Sequence, residues 1–285
     1  MNAPMTPIQS GNIGAALFDS GKINAEQLDS ILQYQKEHQV RFGEAAVALR
    51  FVSEGDIAQV LAKQFDYPYL SQGESRLSTE LVAAYQPFSN TVENLRALRN
   101  QLMLRWLDRQ EGTNTLAIVS AGRGEGRSWL AANLAIVFSQ LGEHTLLVDA
   151  DLRNPRQHRL FGLDNRDGLS QLLAERATSS SLSQVANFRD LTVLTAGPTP
   201  PNPQELICCS TFISLVNEWQ QQYDVVLIDT PAMSQSVDAQ SIAGRARGAL
   251  LVARKDTTPL ASLALVQEML TTADASIVGA VVNEF

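Results

Sequence analysis

The sequence predicts an α/β fold, a doubly wound parallel sheet preceded by a small, mainly helical domain. Three observations carry that expectation. Beyond residue 93, short apolar runs alternate with helical stretches, the order that builds a parallel sheet covered on both faces. The first 70 residues instead show capped, helically spaced apolar positions and an internal repeat. The 285 residues are 45 % hydrophobic and 18 % charged, the composition of a folded chain and not of a disordered one.

Charge and patterning remove several classes of function. With 22 basic against 30 acidic residues, the net charge of −8 leaves no basic excess to exchange for counterions. Nucleic acid and bulk anionic lipid are therefore not expected partners. Apolar stretches such as 146–148 and 225–228 are no more than strand-length, so no direct membrane insertion is expected. The start, MNAPMTPIQSGNIG, has neither a basic nor an apolar signal region. Cys208 and Cys209 are adjacent and form no long-range staple, which fits a reducing cytoplasmic setting. His38, His144 and His158 lie in separate segments without ligand spacing, so they predict no metal centre.

Residues 1–70 read as one helical domain. Asn24 with Gln27, and Ser53 with Asp56, are helix-start pairs. Behind them Leu28, Ile31, Leu32 and Gln35 recur at helical spacing, as do Ile57, Val60, Leu61 and Gln64. The two stretches are copies: Asn12-Ile13-Gly14, Leu17, Gly21, Leu28, Leu32, Gln35 matches Arg41-Phe42-Gly43, Ala46, Arg50, Ile57, Leu61, Gln64. This repeat resembles the N-terminal domain of type II secretion and pilus ATPases, whose repeated R-L-G-x-x-L motifs bind cyclic di-GMP in some members. The resemblance implies a second-messenger site at Ile13, Gly14, Leu17, Gln35, Arg41, Phe42, Gly43 and Gln64. Apolar side chains would cover guanine faces, and Arg41 would stack on or fork a guanine. Asn12, Ala46 and Arg50 depart from the motif. The competing reading is a helical adaptor whose repeated apolar residues are its core.

Residues 71–92, with Gly, Pro and several Ser, read as a linker carrying one short helix. The sheet domain is then 93–285, with expected strands at 115–120, 145–149, 191–196, 224–229, 249–253 and 277–283. Such a sheet places ligands at the carboxyl ends of its strands. Directly after the first strand come Gly122, Gly124, Glu125, Gly126, Arg127 and Ser128, followed by a helical run. Three glycines in five residues let backbone amides turn toward one point at the positive end of the helix dipole, as a polyphosphate requires. The Ser128 hydroxyl is placed for Mg2+. The competing reading is a tight turn without a ligand. Arg127 stands where a phosphate loop normally has lysine; it keeps the charge and can fork two phosphate oxygens, but is bulkier. The next strand ends in Asp149, Asp151 and Arg153, and a later one in Asp229. Carboxylates there either hold Mg2+ and take a proton from an attacking hydroxyl or merely cap helices. Trp129 reads as a buried anchor for the loop helix, and Cys208-Cys209 as helix packing.

SAGRGEGRS, LLVDADLR and VVLIDTP resemble the Walker A, A-prime and B motifs of bacterial tyrosine kinases of the chain-length-determinant and capsule type. Glu93, Arg96 and Arg99 match that family's E-x-x-R-x-x-R oligomerisation helix, and GPTPPNPQEL its proline-rich loop. The resemblance implies ATP at 121–128, metal at Ser128, Asp149 and Asp229, and catalysis by Asp149 or Asp151 with Arg127. It also implies self-association and a membrane chain-length co-polymerase as partner. The activator would be that partner's cytoplasmic tail, so the chain would sit in the cytoplasm, peripheral to the inner membrane. Asn283 would contact adenine, as in related deviant phosphate-loop ATPases. Without a ligand or partner, Glu93, Arg96 and Arg99 are simply a solvated, internally paired helix face. The tyrosines, Tyr34, Tyr67, Tyr69, Tyr85 and Tyr223, include no cluster after the last strand. The acceptor is then elsewhere in the chain, with Tyr85 in the linker as one candidate, or on another protein, or there is none. Three readings result: a tyrosine kinase regulating exopolysaccharide polymerisation and export, a non-kinase ATP-binding switch gating an export partner, or a partitioning-type ATPase. Gly122, where the last group has a signature lysine, counts against it.

Overall fold

The structure, a computed structural model, describes residues 13–57, 60, 70, 75–107, 114–176 and 181–285. The chain divides into two compact units, Met1–Ser71 and Gln72–Phe285.

In the first unit, helices span Ile13–Asp19, Ala25–His38 and Phe42–Ala48. Both sequence-read start pairs are in place. The Asn24 side chain accepts the Gln27 N–H at 2.9 Å while the Gln27 side chain accepts the Asn24 N–H at 2.9 Å. Asp56 Oδ2 likewise accepts the Ser53 N–H at 2.9 Å. Leu17, Ile31, Ala45 and Ala46 are fully buried, with Ile13, Leu28, Phe42 and Ile57 packed against them.

The repeat is physical. A Cβ on Gly14 would lie 3.3 Å from Leu28, and one on Gly43 would lie 3.3 Å from Ile57, the equivalent residue of the second copy. Both glycines let helices approach. Of the second-messenger candidates, Gly14 and Leu17 are buried in this core, Ile13 and Phe42 pack on it, and Gly43 lies against Ile57. Of the candidates, Arg41 is exposed and Gln35 half-buried, while Gln64 lies outside the described residues. Arg50 is explained by the backbone. Gly21 has φ +68° and Arg50, its counterpart, φ +58°, so the motif position is a left-handed helix stop. Arg50→Gly will therefore stabilise this unit, by about 1 kcal/mol from the relieved left-handed strain. Urea unfolding checks this; a midpoint that does not rise would refute it.

The second unit is built on a seven-stranded sheet in the order β3-β4-β2-β5-β1-β6-β7. The strands are β1 Thr115–Ser120, β2 Thr145–Asp149, β3 Leu182–Gln184, β4 Leu191–Leu194, β5 Val225–Asp229, β6 Gly248–Arg254 and β7 Ser276–Asn283. All pairs are parallel except β3 with β4. β1, β2 and β5 are buried along their whole length, which is why their sequences are continuous apolar runs. The expected cover on both faces fails at β7, an edge strand exposed or half-buried except at Asn283. The parallel register sets Asp149 directly beside Asp229.

The described part of the expected linker, 75–92, is packed into this unit. The Ser78 N–H donates to the Leu160 carbonyl at 2.8 Å and the Ala83 N–H to Asn133 Oδ1 at 2.9 Å. The Asn133 amide returns a bond to the Glu80 carbonyl at 3.1 Å. Leu81, Ala83 and Ala84 are fully buried. Tyr85, expected in an open linker, is 5 % exposed and its hydroxyl donates to the Leu77 carbonyl at 2.8 Å. Among the described residues no helix is long and apolar enough to cross a membrane.

Candidate active site

The buried strand β1 delivers the chain into the glycine loop, and the helix Arg127–Ser139 leaves it. Gly126 must be glycine twice over. Its φ is +93°, and a Cβ there would lie 2.3 Å from Asn283 Nδ2. Asn283, at the end of β7, donates that amide to the Glu125 carbonyl at 2.9 Å, bracing the loop. Glu125 itself is buried and turned toward the loop after β6, where Oε1 accepts the Thr258 hydroxyl at 2.8 Å.

Arg127 runs beneath the loop. Its Nε donates to the Thr230 carbonyl at 2.9 Å, and Nη1 to the Gly122 carbonyl at 2.8 Å and to the Ser120 hydroxyl. The side chain expected to fork phosphate is thus spent largely on protein acceptors, and its charge acts on Asp229.

Asp149 is fully buried. Its Oδ2 accepts the Arg156 and Gln157 N–H groups, each at 2.9 Å, and Oδ1 the Asp151 N–H at 3.3 Å. Burial first, and then the neighbouring Asp229 charge, hold its carboxyl well above the usual range. Asp229 is equally buried and is pushed up to about 6 by burial, against the opposing pull of Arg127, Ser128 and Gln157. Its Oδ2 accepts Gln157 Nε2 at 2.8 Å, and the Ser128 hydroxyl also bonds it. Asp229 Oδ1 is buried with no protein partner. Asp151 spends Oδ1 on a turn, accepting the Asn154 N–H at 2.8 Å and the Arg153 N–H at 3.2 Å.

These residues fit a divalent cation. Two buried carboxylates stand side by side, one oxygen lacks any partner, and a serine hydroxyl is adjacent; a cation supplies the missing counter-charge. Among the described residues no three His, Cys, Asp or Glu converge as a cage. The carboxylate pair suits Mg2+, which takes one or two carboxylates and completes its shell with water and phosphate oxygens.

The structure brings together Gly122, Gly124, Gly126, Arg127, Ser128, Asp149, Asp151 and Asp229 at the ends of β1, β2 and β5. A cavity of about 880 Å³ opens beside the loop, lined among others by Gly124, Gly126, Trp129, Asn283 and Phe285. Trp129 is therefore a half-buried wall of that cavity and not the buried anchor expected. Glu93 pairs with Arg96 three residues on, and Arg99 donates to the Val137 carbonyl of the loop helix at 2.8 Å. Cys208 is exposed, and Cys209 packs on the core. Sequence reasoning missed Gln157, which touches both carboxylates. Its one signal was Pro155, which announces a new helical turn just before it.

Comparison with known proteins decides the family. The ParA model, described as an NUBPL iron-transfer P-loop NTPase, matches residues 111–284. The tyrosine-protein kinase YwqD of Bacillus subtilis is 38 % identical over 209 residues, 73 % of this chain and 87 % of that protein. The chain belongs to the bacterial tyrosine kinase family. Another member, the putative tyrosine-protein kinase CapB of Staphylococcus aureus, is 36 % identical over 70 % of this chain and 86 % of its own length. Among solved structures, the kinase domain of Escherichia coli tyrosine kinase ETK superposes with a TM-score of 0.69 at 29 % identity, covering 75 % of this chain and 83 % of that one. The chimerical protein CapA2B2 gives 0.68 at 33 % identity, covering 79 % and 97 %. The family match extends over the second unit, the P-loop sheet.

Proposed function

We propose that this bacterial tyrosine kinase homologue is an active, ATP-dependent protein-tyrosine kinase regulating exopolysaccharide chain length, polymerisation and export. The observation that carries this reading is the partnerless Asp229 oxygen beside Asp149 and Ser128, at the foot of the glycine loop. ATP with Mg2+, when bound, supplies the phosphoryl group and neutralises its developing charge. The loop amides hold the phosphates, and Ser128, Asp149 and Asp229 face the metal. Asp151 keeps Oδ2 outside its turn to take the phenolic proton as the tyrosine oxygen attacks and ADP leaves. The proposed activator is the cytoplasmic tail of a membrane co-polymerase.

The test is incubation of the full chain with labelled ATP and Mg2+, with and without that tail, followed by mapping of phosphotyrosine. Label on tyrosine, lost in Asp149→Ala, supports a kinase; its absence in every condition sinks this reading. Tyr85 is not the acceptor, because its hydroxyl is buried and bonded. Tyr85→Phe will leave the label in place and cost about 1 kcal/mol in unfolding experiments; loss of the label would refute that.

Arg127 favours a second reading, the non-kinase ATP-binding switch that gates an export partner, because its Nε and Nη1 are bonded to protein acceptors. Slow ATP hydrolysis without phosphotyrosine would select it. Self-association through Glu93, Arg96 and Arg99 belongs to either reading, and sedimentation of an Arg96→Glu variant tests it. Cyclic di-GMP sensing by the first unit rests on the repeat and on exposed Arg41. Calorimetric titration of the full chain with cyclic di-GMP, giving no heat, would leave a helical adaptor.

A further inference from the structure

We infer that Gln157 is a positioning residue that selects which Asp229 oxygen faces the metal. The inference rests on the Mg2+–nucleotide reading of the site and adds to it a residue that no motif contains. Gln157 is fully buried, and its side chain links Asp229 to the backbone of the loop helix. Its Nε2 donates to Asp229 Oδ2 at 2.8 Å and to the Ser128 carbonyl at 3.0 Å. Its backbone N–H donates to Asp149 Oδ2 at 2.9 Å. One residue therefore occupies the Oδ2 atom of both carboxylates.

The consequence is orientational. A carboxylate offers two equivalent oxygens until a donor distinguishes them. With Oδ2 of Asp229 held by the amide, Oδ1 is the oxygen left without a partner, and it is the one free to meet a cation. The amide has no freedom to flip, because both groups facing Nε2 are acceptors. Gln157 Oε1, meanwhile, is buried without a protein partner. A purely structural strut would not leave an acceptor unsatisfied, at a cost that methionine of the same length avoids. An acceptor in that position serves a water or ligand that arrives with the metal.

The test uses Gln157→Met in the full chain, which keeps length and removes both donor and acceptor. ADP affinity is read from Trp129 fluorescence, since that indole lines the cavity beside the loop, first in EDTA and then across a Mg2+ titration. The expected result is metal-free ADP affinity within about twofold of wild type, with the Mg2+ concentration for half-maximal effect raised at least about tenfold. Equal losses with and without Mg2+ would overturn the inference, and so would an unchanged Mg2+ midpoint. A variant that no longer folds would also overturn it, by making the amide a strut. If wild type itself shows no Mg2+ effect, it is the reading of the site that fails.

Discussion

Asp229→Asn will melt at a higher temperature than wild type at pH 7 without metal, and will lose the stabilisation that Mg2+ and ADP confer on wild type. Burial pushes the Asp229 carboxyl up to about 6, above its ordinary value, so the folded chain binds this proton more tightly than the unfolded chain does. Stability from that source is complete below about pH 4 and is lost as pH rises through 6, about 3 kcal/mol in all. Asp149, displaced in the same direction by burial and by Asp229, adds to the slope. Metal-free wild type is therefore destabilised on moving from pH 4 to pH 7. A bound cation reverses the sign, because it favours the ionised pair that the bare fold disfavours. Asparagine removes the burden and the ligand together. Unfolding followed from pH 4 to pH 8, with and without Mg2+ and ADP, gives the two curves. An Asp229→Asn variant that is less stable at pH 7 and keeps the full wild-type slope would show that Asp229 carries no such load.

This trade of stability for a charged site was legible at the strand ends and nowhere deeper. The six apolar runs announced β1, β2, β4, β5, β6 and β7; a buried parallel strand writes itself in Val, Ile and Leu, and β7 carries the same pattern although it lies exposed at the sheet edge. β3 left no such trace: Leu182–Gln184 is three residues, none fully buried, and is a strand only because β4 pairs with it. The stretch 75–92 looked like a linker because Gly, Pro and Ser mark turns wherever they occur. Its anchor is the Asn133 side chain, fifty positions from Ala83, and no local pattern reports such a partner. Arg50 looked like a lost motif residue and is a left-handed helix stop, a property of φ and not of side-chain chemistry. Gln157 was missed for the opposite reason. Its spacing from Asp149 is unremarkable, and only the parallel register of β2 with β5 lets one residue reach both carboxylates, Asp149 with its backbone N–H and Asp229 with its side-chain amide.

Arg127→Lys will raise the phosphotransfer rate while lowering metal-free stability. Arginine holds three acceptors from one side chain, the Thr230 and Gly122 carbonyls and the Ser120 hydroxyl, in the fork geometry a guanidinium provides. A lysine ammonium is a single point and cannot satisfy that spread, so at least one buried acceptor loses its donor, at about 1–3 kcal/mol. The released ammonium is then available above the loop, where charge develops on the transferred phosphoryl group. There a fixed cation is worth about tenfold or more in rate. Arg127→Met separates the two roles. It leaves Asp229 without the cation that holds its carboxyl down and will cost about 3–5 kcal/mol at pH 7, less at pH 5 where Asp229 takes up its proton. Single-turnover transfer to tyrosine, measured beside urea unfolding for both variants, gives the answer. A slower Arg127→Lys enzyme with unaltered stability would mean that the guanidinium leaves its three acceptors and works on phosphate itself. The faster, weaker variant expected here would mean that this chain has exchanged turnover for a loop held rigid without its ligand.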